Sequence, residues 1–365
     1  MPIYSFGSNG HGQLGVGHAE DLRVPEKCSL DVPDDSIAKI TAGGNHSALL
    51  TTDGDIYFCG DNSQGQCADV TSSTFQKSPT LAEKKWKDVA CGWSFTILVD
   101  SFGQAYSLGA GNRGELGHDD KLFKTNVAVA IRGVDRIATV ACGYRHVVAL
   151  TIDGLAMGWG SNSSGQLGKV AFHDKKTKSV LPTIIFQDKV AAIACGQTHS
   201  VFLDEAGNVY ALGLNKYGQL GKFDPSEHDR LDQPTLSLLP ARAVKISCGW
   251  HNTVVLTDTH ELWGWGRNDH GQLTGIKATG DGWRDKPVNL AWRPVRLQQP
   301  STAQDMVCGS EHVLCISNGA VYAWGWNEHG NCATTDADVF APYAVPLNHP
   351  KMVAAGCATS WVIAD

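Results

Sequence analysis

The chain has 365 residues, 42% apolar and 18% charged, with 40 glycines, 11 tryptophans and a net charge of −7. This suits a globular protein with ample core. With no Lys/Arg-rich tail before the first motif, it argues against a surface built mainly to grip nucleic acid. The 11 cysteines contain no C-x-x-C pair, so neither a disulfide framework nor a zinc ribbon is expected, and reduced thiols in cytoplasm or nucleus fit best. No apolar run approaches the ~18 residues of a membrane helix.

In chain order, the first element is a strand over Ile3–Phe6, with nothing of a signal peptide about it. It enters Gly7–Gly15, which reads G-x-N-x-x-G-Q-L-G. A second motif follows, small residue, Gly43, two variable residues and His46, and then an apolar run over Ser47–Thr51. An Asp53-Gly54 turn and a further strand over Ile56–Cys59 complete a hairpin signal. The first motif then returns, more worn, at Gly60–Ala68.

The two motifs alternate to the end of the chain. The first recurs at Gly109–Gly117, Gly160–Gly168, Gly213–Gly221, Gly266–Thr274 and Gly325–Ala333. The second recurs at Gly92, Gly143, Gly196, Gly249, Gly309 and Gly356, preceded by Cys91, Cys142, Cys195, Cys248 and Cys308 in five copies. Seven copies of a unit of roughly fifty residues, each a meander of about four short strands, predict an all-β, seven-bladed β-propeller over residues 1–365. The chain stops after Cys357–Asp365, where a hairpin turn is due, and it starts with the strand that should follow. The first strand is therefore expected to complete the last blade and close the ring. The five cysteines read as small buried residues beside the axis, not as metal ligands, since they sit in equivalent places of different blades.

These paired signatures resemble the repeat of the regulator of chromosome condensation family, along the whole chain. The resemblance implies the propeller more strongly than any activity, because this fold hosts unrelated functions. Some members exchange guanine nucleotide on the small GTPase Ran and carry a basic chromatin-binding tail, which is missing ahead of the first motif here. The plant ultraviolet-B photoreceptors carry G-W-R-H-T motifs. The matching slots here, Gly92–Thr96, Gly143–Val147 and Gly249–Thr253, lack the tryptophan–arginine pairing. The compact fungal alpha-tubulin suppressors, also called killer-toxin insensitivity factors, look most similar, through Ile3–Gly10 and Gln13–Asp21. That resemblance implies a small zinc-binding electron-carrier partner shared by diphthamide synthesis and Elongator-dependent tRNA wobble-uridine modification.

Enzymatic signatures are weak. Gly109–Gly114 satisfies G-x-G-x-x-G, but it is one copy of a turn present seven times, without the strand–helix context of a dinucleotide site. The histidines His46, His146, His199 and His312 occupy one slot in four blades, which suits a repeated structural hydrogen bond. No catalytic residue, metal ligand or cofactor is assigned. Function is sought where copies differ, in the variable pairs of the second motif, which should share one rim. Asn45, Trp93, Tyr144, Arg145, Trp250, His251 and Glu311 are the candidate partner-binding residues, since Trp, Tyr and Arg dominate binding hot spots. Trp93 and Trp250 could equally pack over the central channel. The insertion over 275–300, with Trp283, Arg284, Asp285, Lys286, Trp292 and Arg293, is a further candidate, and the 170–180 segment reads as a solvated loop.

The expected function is a non-enzymatic protein-binding platform in cytoplasm and nucleus, partnering that zinc protein, with no direct DNA or membrane contact. The alternative is a guanine-nucleotide exchange factor for a Ran-like small GTPase. A hydrolase comes third.

Overall fold

The computed structural model describes residues 2–30, 36–119, 121–169, 178–222, 229–274 and 290–365. Over these the chain forms 28 strands, β1 to β28 in chain order, arranged as seven four-stranded antiparallel sheets. Blade 1 is representative: β3 (Ile37–Ala42), β4 (His46–Thr51), β5 (Ile56–Gly60) and β6 (Ser72–Lys77) lie side by side in that order. Blades 2 to 6 repeat the meander. Blade 7 joins β27 (Met352–Ala355) and β28 (Thr359–Ile363) to β1 (Ile3–Gly7) and β2 (Leu22–Lys27). Ring closure thus uses two N-terminal strands where the sequence led us to expect one. Ile3 pairs with Ile363 and Gly7 with Thr359, while Tyr4 also pairs with Lys27.

Proline marks the edges of the sheets. A strand interior needs its N–H groups, so proline is confined to edge strands and bulges. Pro25, Pro182, Pro234, Pro294 and Pro342 all fall in the fourth, outermost strand of their blades. The inner strands instead carry small residues and face a channel of ≈ 520 Å³ along the axis. Cys91, Cys142, Cys195, Cys248 and Cys308 line it. Burial pushes their thiols far from ionisation, up to about 12 for Cys91, Cys195 and Cys308. Cys142 and Cys195 place Sγ 3.6 Å from the carbonyls of Ala90 and Ala141 on the preceding blade, so they act as small space-fillers at a blade seam.

The blades are stitched through the glutamine slot of the first motif. Trp265 Nε1 and Trp324 Nε1 donate to the carbonyls of Gln219 and Gln272 on the preceding blade, and Trp159 does the same to Glu115. All three indoles are fully buried. A buried indole needs its N–H satisfied, and this carbonyl supplies the acceptor.

The first glycine of each first-motif copy is the last or penultimate residue of the third strand. Gly60 has φ +98°, and a Cβ there would lie 2.5 Å from the carbonyl oxygen of Asn45. The third strand therefore passes directly under the second-motif loop, and the Asp61 N–H donates to that same carbonyl at 2.8 Å. Both motifs consequently share one face of the ring, and the Asp-Gly turns point to the other.

Candidate functional site

All seven variable pairs of the second motif lie on that one face. Their backbones are joined from blade to blade: Gly44 N–H donates to the Trp93 carbonyl and Trp93 N–H to that of Tyr144. Gln197 donates to Trp250, Trp250 to Ser310, and Ser310 to Gly356 in the same sense. These two runs of hydrogen bonds, over blades 1 to 3 and blades 4 to 7, form a belt in two segments that ties neighbouring loops together around the channel mouth.

Three rings meet there. Trp93 and Tyr144 have centroids 4.9 Å apart, Trp93 and Trp250 6.2 Å, and Tyr144 and Trp250 6.4 Å. They are half-buried against each other over the mouth. They are not free-standing loop tips: rings from blades 2, 3 and 5 meet across the channel mouth, the packing that the sequence left open as the alternative for Trp93 and Trp250. The Arg145 guanidinium rests over the Tyr144 ring at 5.2 Å. Asn45 sits half-buried on the same rim.

Glu311 is held differently. It is only 5% exposed, and its carboxylate accepts from His251 Nδ1 at 2.6 Å, Gln272 at 2.7 Å and Arg267 at 3.3 Å. Arg267 also pairs with Asp269 and lies 5.7 Å from the Tyr217 ring centroid, and Tyr217 meets His251 edge-on at 4.9 Å. Glu311 is therefore a positioning residue that clamps blade 6 to blade 5 and orients His251 and Arg267 on the rim. Tyr217, Arg267 and Gln272 escaped the sequence reading because they belong to the variable and glutamine slots of the other motif. The shared face was the missing information.

The four slot histidines are structural. Their Nε2 atoms lie 2.9 Å from Thr96, 3.1 Å from Ser200, 3.2 Å from Thr253 and 2.9 Å from Ser360, each on the following blade. Burial holds His46 and His146 down to about 4, and His199 and His312 to about 3. They are neutral at ordinary pH. Among the described residues no group of three His, Cys, Asp or Glu side chains could hold a metal ion. Of the long insertion, Trp292 and Arg293 fall in the outer strand of blade 5, while Trp283, Arg284, Asp285 and Lys286 lie outside the described residues, as does most of the 170–180 loop.

A family model described as RCC1-like domain matches residues 2–364. The secretion-regulating guanine nucleotide exchange factor of Bos taurus is 32% identical, over 94% of this chain and 78% of its own length. An RCC1 repeat-containing protein of Schizosaccharomyces pombe is 30% identical, over 100% of this chain and 99% of its own. Among solved structures, Prp20p of Saccharomyces cerevisiae, described with its binding properties to Gsp1p and histones, superposes with a TM-score of 0.88 at 23% identity. That superposition covers 99% of this chain and 90% of the other.

Proposed function

The chain belongs to the RCC1-like domain family, and from that premise we propose that it is a guanine nucleotide exchange factor that docks a small GTPase on the rim bearing Trp93, Tyr144 and Trp250. The observation that carries this reading is the likeness to an exchange factor along 94% of the chain. Exchange needs no nucleophile or general base. It needs a rigid surface that binds the nucleotide-free GTPase more tightly than the loaded one, and by linkage the same factor weakens nucleotide binding. A hydrogen-bonded belt carrying half-buried aromatic rings and arginines has the rigidity and the side chains for that task.

The test is release of a fluorescent GDP analogue from Ran and a panel of other small GTPases. Acceleration by the wild type, lost in the Trp93→Ala/Trp250→Ala double variant, supports the reading. No acceleration of any GTPase at micromolar protein rejects it.

A second reading keeps the same rim and changes the partner, to the small zinc-binding electron carrier of diphthamide synthesis and Elongator-dependent tRNA modification. It is supported by the resemblance of Ile3–Gly10 and Gln13–Asp21 to the compact fungal alpha-tubulin suppressors. Co-purification of a zinc protein with the wild type, and not with the double variant, would select this partner. Both readings place the protein in cytoplasm and nucleus.

A further inference from the structure

We propose that a pocket on the rim between blades 2 and 3 receives one arginine side chain of the protein partner, with the Glu115 carboxylate as its acceptor and Trp93 and Tyr144 as its aromatic walls. The inference rests on this rim being the partner surface, whichever partner it serves. The pocket measures ≈ 200 Å³ and is lined by Trp93, Phe95, Glu115, Phe123, Tyr144 and Arg145, among others. At ~30 Å³ per water that is room for about seven waters, the scale of one long side chain.

Three breaks in the sevenfold pattern converge here. The glutamine slot of the first motif holds Gln13, Gln66, Gln166, Gln219 and Gln272, with Asn331 in blade 6, and only blade 2 places an acid there, Glu115. The asparagine slot holds Asn in six copies and Gly111 in blade 2. In the other blades that asparagine cinches its loop, as Asn162 does by accepting from the Leu167 N–H at 2.9 Å. At Gly111 a Cβ would come 2.5 Å from Glu115 Oε2, so the carboxylate occupies space that an asparagine would need. The histidine slot holds Phe95, which makes the inner wall apolar. The glycine and the acid occur in these slots in blade 2 alone, and with Phe95 they converge on one cavity.

The chemistry selects the occupant. Glu115 is 3% exposed; one carboxylate oxygen accepts the Arg113 N–H at 2.6 Å, and no ion pair reaches it among the described residues. Arg145 and Arg113 pull on this carboxylate without pairing with it, so its burial is only partly compensated and an entering cation that pairs with it offsets the remaining cost. Burial raises the Glu115 carboxyl above its ordinary value despite the opposing pull of Arg145 and Arg113. A guanidinium suits the remaining walls, since it pairs with carboxylate through its planar fork and stacks on aromatic faces. Arg145 stays on Tyr144 at the rim as a like charge that moderates the affinity.

The test titrates N-acetylarginine amide into the protein, read by saturation-transfer NMR, with N-acetylcitrulline amide as the neutral isostere. Wild type is expected to bind the arginine probe saturably and the citrulline probe at least about tenfold more weakly. Glu115→Gln, which installs the residue of five other blades, should lose the arginine probe. Gly111→Asn/Glu115→Gln, which restores the repeat pattern, should fold and also lose it. Arg145→Gln should strengthen binding. Equal binding by wild type and Glu115→Gln, citrulline binding as well as arginine, or no arginine binding to wild type overturns the proposal. No GTPase is present in this experiment, so its failure is distinct from a failure of the exchange assay.

Discussion

His46 Nε2 lies 2.9 Å from the Thr96 hydroxyl, and that hydroxyl donates to the Gln66 carbonyl at 2.8 Å. The hydroxyl has one proton and commits it to the carbonyl, so His46 must donate through Nε2. Among the described residues its buried Nδ1 meets no hydrogen-bond partner, as in His146, His199 and His312. The pairing follows a rule across blades. Each of these histidines faces a Ser or Thr on the next blade, whereas Phe95 and Asn252 precede blades that carry Val147 and Val313 at that position. Thr359, followed by Ser47, is the exception.

The rule predicts a coupled pair. His146→Phe should leave the Ser200 hydroxyl without its donor and cost about 1–3 kcal/mol. His146→Phe/Ser200→Val reproduces the Phe95/Val147 combination and should recover part of that loss. A double-mutant cycle by urea unfolding reads the coupling; strict additivity would contradict the relay.

The same histidines set an acid limit. An unfolded histidine titrates near 6.5, whereas these four are held at about 3 to 4 by burial. Between those values the unfolded chain binds more protons, so their stabilisation is complete above roughly pH 6.5 and is lost as pH falls towards 3–4. The melting temperature should drop steadily from pH 7 to pH 5, less steeply in His146→Phe/Ser200→Val. A flat profile over that range would refute this.

The channel cysteines should be inert. Thiolate is the reactive form, and burial keeps Cys91, Cys195 and Cys308 near 12 and Cys142 and Cys248 well above the ordinary value. A thiol reagent at pH 7.5 should label none of these five in the folded protein and all of them in denaturant. Rapid labelling of the folded protein would show that the channel admits and activates reagents.

Ring closure can be attacked at one residue. Ser5 pairs with both Glu26 and Trp361, and its hydroxyl donates to the Leu14 carbonyl at 3.0 Å. Ser5→Pro removes an N–H from an interior strand, leaves a buried ladder acceptor unsatisfied and should destabilise by about 1–3 kcal/mol. A loss below about 1 kcal/mol by thermal or urea unfolding would mean that blade 7 contributes little to the whole.

What the sequence disclosed follows from repetition. Gly60 and its six counterparts recur because each copy of the third strand crosses a carbonyl where no Cβ fits, so the period and the blade count were visible. The histidine slot was read correctly as structural for the same reason. The rim was legible only in part. Trp93, Tyr144 and Trp250 come from three blades, and nothing in their spacing says that their rings touch. Glu311 looked like a free acidic contact because its three donors, His251, Arg267 and Gln272, lie on the neighbouring blade. Glu115 is silent in the sequence because a glutamate in a scaffold slot that holds Gln in five other copies resembles a worn repeat until the cavity beside it is seen.

The pairing of β1 with β28 also imposes a schedule on synthesis. All of blades 1 to 6 are synthesised between β1 and its partner β28. At about 5–20 residues per second that interval is on the order of tens of seconds. For that time β1 waits with one ladder edge open, the kind of unpaired edge through which nascent chains aggregate.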